Sequence, residues 1–324
     1  MTGAPRSGWF WGLFAYTCWG LVPLYFAVLK QYGLSAGEIL AQRITWSLPL
    51  LLVLVTLQRQ RRVELHRALG DRSVLLRLGV SASLLAVNWL LYIYATVTDR
   101  VAEASHGYFM LPLINAALGY AVLGERLRPA HYPALALVAL SAALPLTVAG
   151  QWSWLAFALP LTFGLYSLLR KQIPLDSIAA LTVETALLLP PSAAYLLLAG
   201  SGHHHLGATP AATAAILASG LVTVVPLLAF TLALRRLTLL ALSFLQFLSP
   251  AVQLLLALTV LGEHLDPTRL AALACAALAV LLFLTDALLA PHPPAPRLNP
   301  AHRTPLTAAS HPSAPPRHPS PPSR

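Results

Sequence analysis

The chain has 324 residues, of which 57% are apolar and only 10% are charged, and its formal net charge is +10. Soluble domains carry roughly 25% charged residues, so this composition argues against a soluble globular protein and indicates a membrane protein. The basic residues form short patches between long apolar runs, not one cluster that follows phosphates, which argues against nucleic acid as a partner.

Ten mostly apolar runs follow one another along the chain, each about long enough to cross a ~30 Å hydrocarbon core as a helix. They lack the alternation of a barrel strand, and backbone groups cannot stay unpaired in lipid. We therefore predict an all-α membrane protein with ten transmembrane helices, the first being a span and not a signal peptide. The predicted spans are residues 9–29, 35–57, 74–97, 101–124, 130–149, 152–169, 178–199, 211–233, 238–261 and 268–290.

The loops between these runs alternate in charge. If the N-terminus is cytoplasmic, the inner loops hold the basic segment 59–77 and the basic pairs near 126–128, 170–171 and 235–236. The outer loops then hold only Lys30, Arg100 and Arg269. The positive-inside rule predicts that both termini are cytoplasmic.

An internal repeat relates the two halves of the chain, because residues 101–132 return in weaker form at 239–270, 138 positions later. Five predicted spans separate a residue from its copy, and five is odd, so the second copy is inverted in the membrane. Inverted repeats are typical of secondary transporters, whose site lies near the midplane. The matched residues are Ser105 with Ser243, Phe109 with Phe247, Pro112 with Pro250, Gly124-Glu125 with Gly262-Glu263, and Pro129 with Pro267.

The repeat divides the chain into four segments. We predict a cytoplasmic N-terminus at 1–8, a first five-helix repeat at 9–149 and a second, inverted repeat at 150–290. Residues 291–324 are rich in proline and nearly free of large apolar side chains, so we expect a disordered cytoplasmic tail.

Ionisable side chains inside the spans are the first candidates for function, since each costs at least ~2.5 kcal/mol at the centre of a span. Glu38 and Arg43 lie in the second run and Glu184 in the seventh. If the longer basic loop of the first copy stretches the offset by about eight residues, Glu184 corresponds to Glu38. These groups are candidate proton carriers, and the alternative is that they are structural groups with hydrogen-bonded partners.

Polar residues next to prolines form a second set of candidates. A proline inside a span frees a backbone carbonyl and kinks the helix, and interrupted helices at matching positions indicate a binding site in repeat transporters. The alternative is that the kinks serve only helix packing. The candidate kinks are Pro112, Pro226 and Pro250, and the candidate substrate-binding or coupling residues are Asn88, Trp89, Glu103, His106, Tyr108, Asn115, Thr223 and Gln246.

No sequence motif indicates a catalytic, metal or cofactor site. Cys18 and Cys275 lie in apolar runs without CxxC spacing, and the triplet His203, His204 and His205 lies among glycines, so we expect a mobile loop there. No HExxH or paired-aspartate motif occurs in a span, which disfavours a membrane-embedded enzyme, and no filter-like loop supports a channel. The expected partners are a small-molecule substrate, membrane lipid, protons as a candidate coupling ion, and a further copy of the chain.

Several residue clusters resemble the EamA-type branch of the drug/metabolite transporter superfamily, and more narrowly its RarD subgroup. The resemblance runs from about Gly8 to Leu289. It rests on Trp19-Gly20 with Pro23, Glu38-Ile39-Leu40 with Arg43, Trp46-Ser47, Asn88-Trp89-Leu90-Leu91, Glu103-Ala104-Ser105, Gly107-Tyr108-Phe109 with Pro112, Glu184-Thr185 and Val225-Pro226-Leu227.

The resemblance implies a permease of the bacterial inner membrane that moves a drug or metabolite by alternating access, with export as the expected direction. Two positions depart from the subgroup. It usually has asparagine before the proline of the fourth span, where this chain has Leu111, and leucine after the serine, where this chain has His106. A binding role for that segment therefore cannot be transferred whole.

Overall fold

The computed structural model describes residues 4–98, 100, 104, 107–149, 154–198, 206–259 and 267–289. All regular structure in these ranges is helical, and every contact given below lies within one compact unit, Met1–Ala287. The helices are α1 (Ala4–Gln31), α2 (Ala36–Thr56), α3 (Arg59–Gly70), α4 (Arg72–Val97), α5 (Leu111–Leu123), α6 (His131–Ala149), α7 (Trp154–Gln172), α8 (Ser177–Leu198), α9 (Pro210–Leu234), α10 (Leu239–Leu245), α11 (Leu248–Thr259) and α12 (Pro267–Leu289).

Each apolar run of the sequence contains helix in the described residues, which confirms an all-α membrane protein. Within the described ranges, six segments are long and apolar enough to cross a membrane, and the count of ten spans stays a prediction. The six are Ser7–Gln31, Ala36–Thr56, Arg72–Val97, Ser177–Leu198, Pro210–Leu234 and Leu270–Ala287, with shorter apolar helices at Gly107–Leu123, His131–Leu144 and Leu239–Gln253.

The basic segment that we predicted as a loop contains a helix, α3. Arg59, Arg62 and Arg67 are exposed, whereas Arg61 is partly buried and its Nε lies 3.7 Å from a carboxylate oxygen of Asp176. Ala68 is buried against Leu78, Ile173 and Leu175. At its polar side Glu64 accepts a hydrogen bond from the backbone of Asp176 at 2.7 Å. The helix therefore lies against the basic end of the bundle, the end at which α2 finishes and α4 begins.

Helices in a membrane are not driven together by the hydrophobic effect, so they associate mainly through close packing at small residues. This chain shows such close crossings. A Cβ on Gly220 in α9 would overlap the backbone carbonyl of Trp46 in α2, and one on Gly20 in α1 would lie 2.7 Å from Val252 in α11. The most extensive pairings are α1 with α9, α2 with α8, α2 with α9, and α4 with α7.

Two helices are interrupted near the prolines that we singled out. The helical turn at 107–109 ends at Met110 before α5 begins, and α10 ends at Leu245 before α11 begins at Leu248. Pro112 and Pro250 thus lie in the first turns of α5 and α11. Backbone N–H groups of a first turn make no hydrogen bond within the helix, so proline is tolerated there. Pro226, in contrast, lies inside the continuous helix α9.

Candidate functional site

A pocket lies where the interruption between α10 and α11 faces α1, α2, α4 and α7. It is partly open to solvent, and its cavity volume is about 80 Å³. The pocket-lining residues are Trp19, Val22, Phe26, Arg43, Asn88, Trp89, Tyr92, Tyr108, Phe163, Gln246, Ser249, Pro250 and Gln253.

Arg43 is the charged group of this pocket. It lies seven residues past the start of α2, about 10 Å into the helix, and only 3% of it is exposed. Its Nε donates to the hydroxyl of Thr223 at 2.8 Å. Its guanidinium carbon lies 4.5 Å from the ring centroid of Trp89 and 5.2 Å from that of Phe26, which gives cation–π stabilisation to a charge removed from water.

Aromatic rings form most of the remaining wall. Trp19 packs edge-on against Phe163 at a centroid distance of 5.8 Å, and Tyr108 packs against Phe163 at 6.5 Å and Tyr92 at 5.8 Å. These contacts link α1, α4 and α7 around the pocket. The rings give it an apolar surface of fixed shape, because side chains with two torsions that pack on each other lose little further freedom on binding.

Three amide side chains line the same space. Asn88 is fixed, since its amide donates to the carbonyl of Leu159 at 2.8 Å and to Thr162 at 3.0 Å. Gln253 donates to the Tyr92 hydroxyl at 3.2 Å. Gln246 lies in the helix interruption, is 8% exposed, and its Oε1 has no hydrogen-bond partner among the described residues. Gln246 is therefore available to a ligand.

Glu184 lies outside this pocket, in a separate buried network. It accepts a hydrogen bond from Ser81 at 2.7 Å, and its Oε1 lies 3.6 Å from Nε of Arg170. Its Oε2 has no hydrogen-bond partner in the described part of the chain. A smaller cavity lies beside it and is also lined by Thr223, the hydroxyl that holds Arg43. Thr223 of α9 therefore contacts Arg43 and also lines the cavity beside Glu184.

Two other predicted site residues, Glu38 and Asn115, are described and do not line the pocket. Glu38 belongs to a capping box at the start of α2, where it accepts from the backbone of Ser35 at 2.8 Å. Asn115 is buried between α5 and α7, beside Gly164. Glu103 and His106 lie outside the described residues, as do the second Gly-Glu pair, the histidine triplet and the proline-rich tail.

Sequence reasoning missed several members of both sites. Trp19, Phe26 and Phe163 look like ordinary apolar residues of a span, so no local signal distinguishes them. Arg170 was counted with a basic loop, but it lies in the last turn of α7 and is 3% exposed. Its burial could have been suspected, because an acid in the next span needs a partner.

At the basic end of the bundle, an acidic side chain joins helices from the two halves of the chain. Gly124 adopts the left-handed conformation, with φ of 65°, and ends α5. The turn brings Glu125 to Lys171 of α7, at 3.0 Å. Both Glu125 oxygens also lie 3.1 Å from the backbone nitrogen of Leu239, at the start of α10. We call these three residues the latch.

The apolar helices define a polytopic membrane protein with a pocket between its helices, and comparisons with known proteins identify its class as that of membrane transporters. The EamA-like transporter family matches residues 6–147. An uncharacterised transporter of Pseudomonas aeruginosa strain PAO1 is 41% identical over 87% of this chain and 94% of its own. Protein RarD of Escherichia coli K12 is 37% identical over 87% of this chain and 95% of its own.

The chain belongs to the EamA-type drug/metabolite transporters, in their RarD subgroup. A solved crystal structure of a protein at 18% identity matches 86% of this chain and 97% of that one, with a TM-score of 0.58. That likeness concerns the fold alone.

Proposed function

We propose that this protein is a permease of the bacterial inner membrane that exports a small organic molecule by alternating access. Its ten spans form two inverted five-helix repeats, 9–149 and 150–290, with both termini cytoplasmic. The observation that carries the proposal is the position of the pocket. It is lined by Arg43 and Trp89 from the first half and by Phe163 and Gln246 from the second, beside an interrupted helix.

The helix contacts support a pseudo-twofold relation between the halves. Under an inverted repeat, α1 corresponds to α7 and α9 to α4, so the pairing of α1 with α9 should recur as the pairing of α7 with α4. Both pairings are present. Residues near a twofold axis meet their own copies, and Phe109 stacks on Phe247, its counterpart 138 positions later, at 5.7 Å.

Counting from the helix starts favours Arg43, and not Glu38 as we predicted, as the residue that corresponds to Glu184 in the repeat. Arg43 is the eighth residue of α2 and Glu184 is the eighth residue of α8. Each helix has a proline six positions further on, Pro49 and Pro190. The repeat therefore relates Glu184 to Arg43, and the halves place opposite charges at corresponding positions.

The conformation fits one step of alternating access. The latch, together with α3 and the contact of Arg235 with the carbonyl of Leu175 at 2.6 Å, ties the helices at the basic end. The pocket lies between the middle of the bundle and the opposite end. With basic loops in the cytoplasm, this state is closed to the cytoplasm and its pocket belongs to the outer half.

Solute counterflow in proteoliposomes tests the proposal. A carrier accumulates labelled solute transiently against unlabelled solute inside, whereas a channel only equilibrates it. A panel of organic anions, cations and neutral compounds is to be screened in right-side-out and inside-out vesicles. Loss of counterflow in Trp89→Ala, with counterflow kept in the lipid-facing control Leu76→Ala, supports the pocket, and flux without counterflow excludes a carrier.

Topology is tested independently with single cysteines in a chain lacking Cys18 and Cys275. Arg126 and Ala208 are both exposed positions. The proposal requires that cysteines placed there are labelled by a membrane-impermeant maleimide from opposite faces. Labelling from the same face would contradict the inverted repeat.

Glu184 is our candidate for proton coupling. One oxygen of its carboxyl group is held by Ser81, and the other has no hydrogen-bond partner among the described residues. Such a group, beside a cavity and Arg170, can gain and lose a proton with little rearrangement. We expect Glu184→Gln to transport by counterflow but to lose its response to a pH gradient. An unchanged response in Glu184→Gln would exclude it as the coupling site, leaving a structural ion pair.

A further inference from the structure

Arg43 has no carboxylate within 4.0 Å among the described residues. The nearby candidates are engaged elsewhere: Glu184 pairs with Arg170, and Glu38 caps its own helix. A cation inside a span is costly and ordinarily pairs with an acid or lies on a substrate path. Among the described residues, the charge of Arg43 is therefore left without a carboxylate partner.

The geometry around Arg43 fixes how an anion would approach. Thr223 holds Nε, while the rings of Trp89 and Phe26 cover the guanidinium carbon. The two terminal nitrogens donate to no described residue, and the side chain lines the pocket. A guanidinium fork held in this way matches the two oxygens of a carboxylate, whereas an ammonium would offer only a point charge.

The other side chains that line the pocket indicate what the rest of the ligand is. The rings of Trp19, Tyr92, Tyr108 and Phe163 suit a planar apolar body of about one aromatic ring. Gln246 is more than nine-tenths buried and its amide oxygen has no partner in the described structure. Because amide oxygen and nitrogen are assigned by their surroundings, this group can turn to donate to a bound carboxylate.

From these observations we propose that the pocket binds a small aromatic monocarboxylate, its carboxylate on Arg43 and its ring between the aromatic walls. The inference rests on the proposed function, since it names the substrate class of the same pocket. None of the residues that line the pocket in the described structure is an aspartate or glutamate. An ammonium group has no counter-charge among these described residues, so we expect amines and zwitterionic amino acids to bind less well than the plain acid.

The first experiment compares four probes on the purified full-length protein in detergent: benzoate, benzamide, benzylamine and phenylalanine. Tryptophan fluorescence reports binding, because Trp19 and Trp89 line the pocket. We expect benzoate to bind at least tenfold more tightly than the other three. This comparison needs no variant, so it does not depend on the folding of a mutant. Benzoate binding no tighter than benzamide, or no benzoate binding at all, overturns the inference.

Variants then test the assigned residue. We expect Arg43→Gln to weaken benzoate binding by about a hundredfold while benzamide binding changes little, and Arg43→Lys to fall between, because the fork is lost but the charge is kept. Arg77→Gln, an exposed arginine of α4, is the matched control and should bind benzoate as the wild type does. Equal benzoate affinity in wild type and a folded Arg43→Gln contradicts the assignment.

Counterflow of labelled benzoate separates this inference from the proposed function. Arg43-dependent binding without counterflow would refute the permease and leave the anion site standing. Counterflow of a cation or neutral compound, with no competition from benzoate, would support the permease and refute the anion site.

Discussion

The latch joins α5, α7 and α10 at the basic end, and Glu125→Gln tests whether it holds that end closed. Glutamine keeps an acceptor for the backbone N–H of Leu239, which lies 3.1 Å from each Glu125 oxygen, but it removes the ion pair with Lys171 at 3.0 Å. A hydrogen bond to a charged group contributes about 1.5–3 kcal/mol. The side chains of Glu125 and Lys171 are 15% and 22% exposed, so solvent screening favours the lower value.

About 1.4 kcal/mol is a factor of ten in a two-state equilibrium, so the substitution should raise the open-to-closed ratio of the basic end roughly tenfold. Spin labels at the exposed positions Arg126 and Arg236 report the separation of the halves there by electron–electron double resonance in nanodiscs. We expect a longer-distance population to grow in the variant.

Asp71→Asn is the control for charge alone. It removes an acid from the same end, but Asp71 accepts hydrogen bonds only within its own helix start, from Ser73 and Val74. An unchanged distance distribution in Glu125→Gln, or an equal shift in Asp71→Asn, would refute the latch.

Three further predictions concern stability and the buried ion pair. Gly220→Ala should lower the thermal unfolding temperature and the yield of folded protein, because the added Cβ overlaps the backbone of α2. Gly79→Ala is the control and should change neither, because the nearest atom to its added Cβ is 3.9 Å away. Equal behaviour of the two variants would contradict the close crossing. Asp71→Ala should cost about 1 kcal/mol of helix stability, detectable as faster hydrogen exchange at the start of α4, with no change expected in α9. Arg170→Gln should destabilise more than Arg170→Gln combined with Glu184→Gln, because the single change leaves a buried carboxylate unpaired; additive losses in unfolding temperature would show that the groups do not interact.

Much of the fold follows from the sequence because apolar length and burial in lipid leave few alternatives to helices. The turn at Gly124 was predictable for a similar reason, since glycine readily adopts the left-handed conformation that ends a helix. The helix at Arg59–Gly70 was missed. Its apolar residues are few, and it is stabilised by packing on α8 and α4, which no local pattern reveals.

The site was predictable only in part. Arg43 was singled out as an ionisable group inside a span and Gln246 as a polar residue near a helix interruption, and both line the pocket together with Trp89. Glu38 caps its own helix, since a glutamate three residues after a serine at a helix start satisfies free backbone N–H groups. The pairing of Glu184 with Arg170 was missed because Arg170 was counted with a basic loop, although an acid inside the next span needs a partner.

Access to the pocket from each face of the membrane is the most direct test that the protein works by alternating access. Gln253 lines the pocket, so a cysteine placed there in a chain lacking Cys18 and Cys275 reports which side is open. A membrane-impermeant maleimide should label it from the outer face at rest, and labelling from the cytoplasmic face should increase in Glu125→Gln. Labelling of the resting protein from both faces at equal rates, as in a channel, would contradict the mechanism.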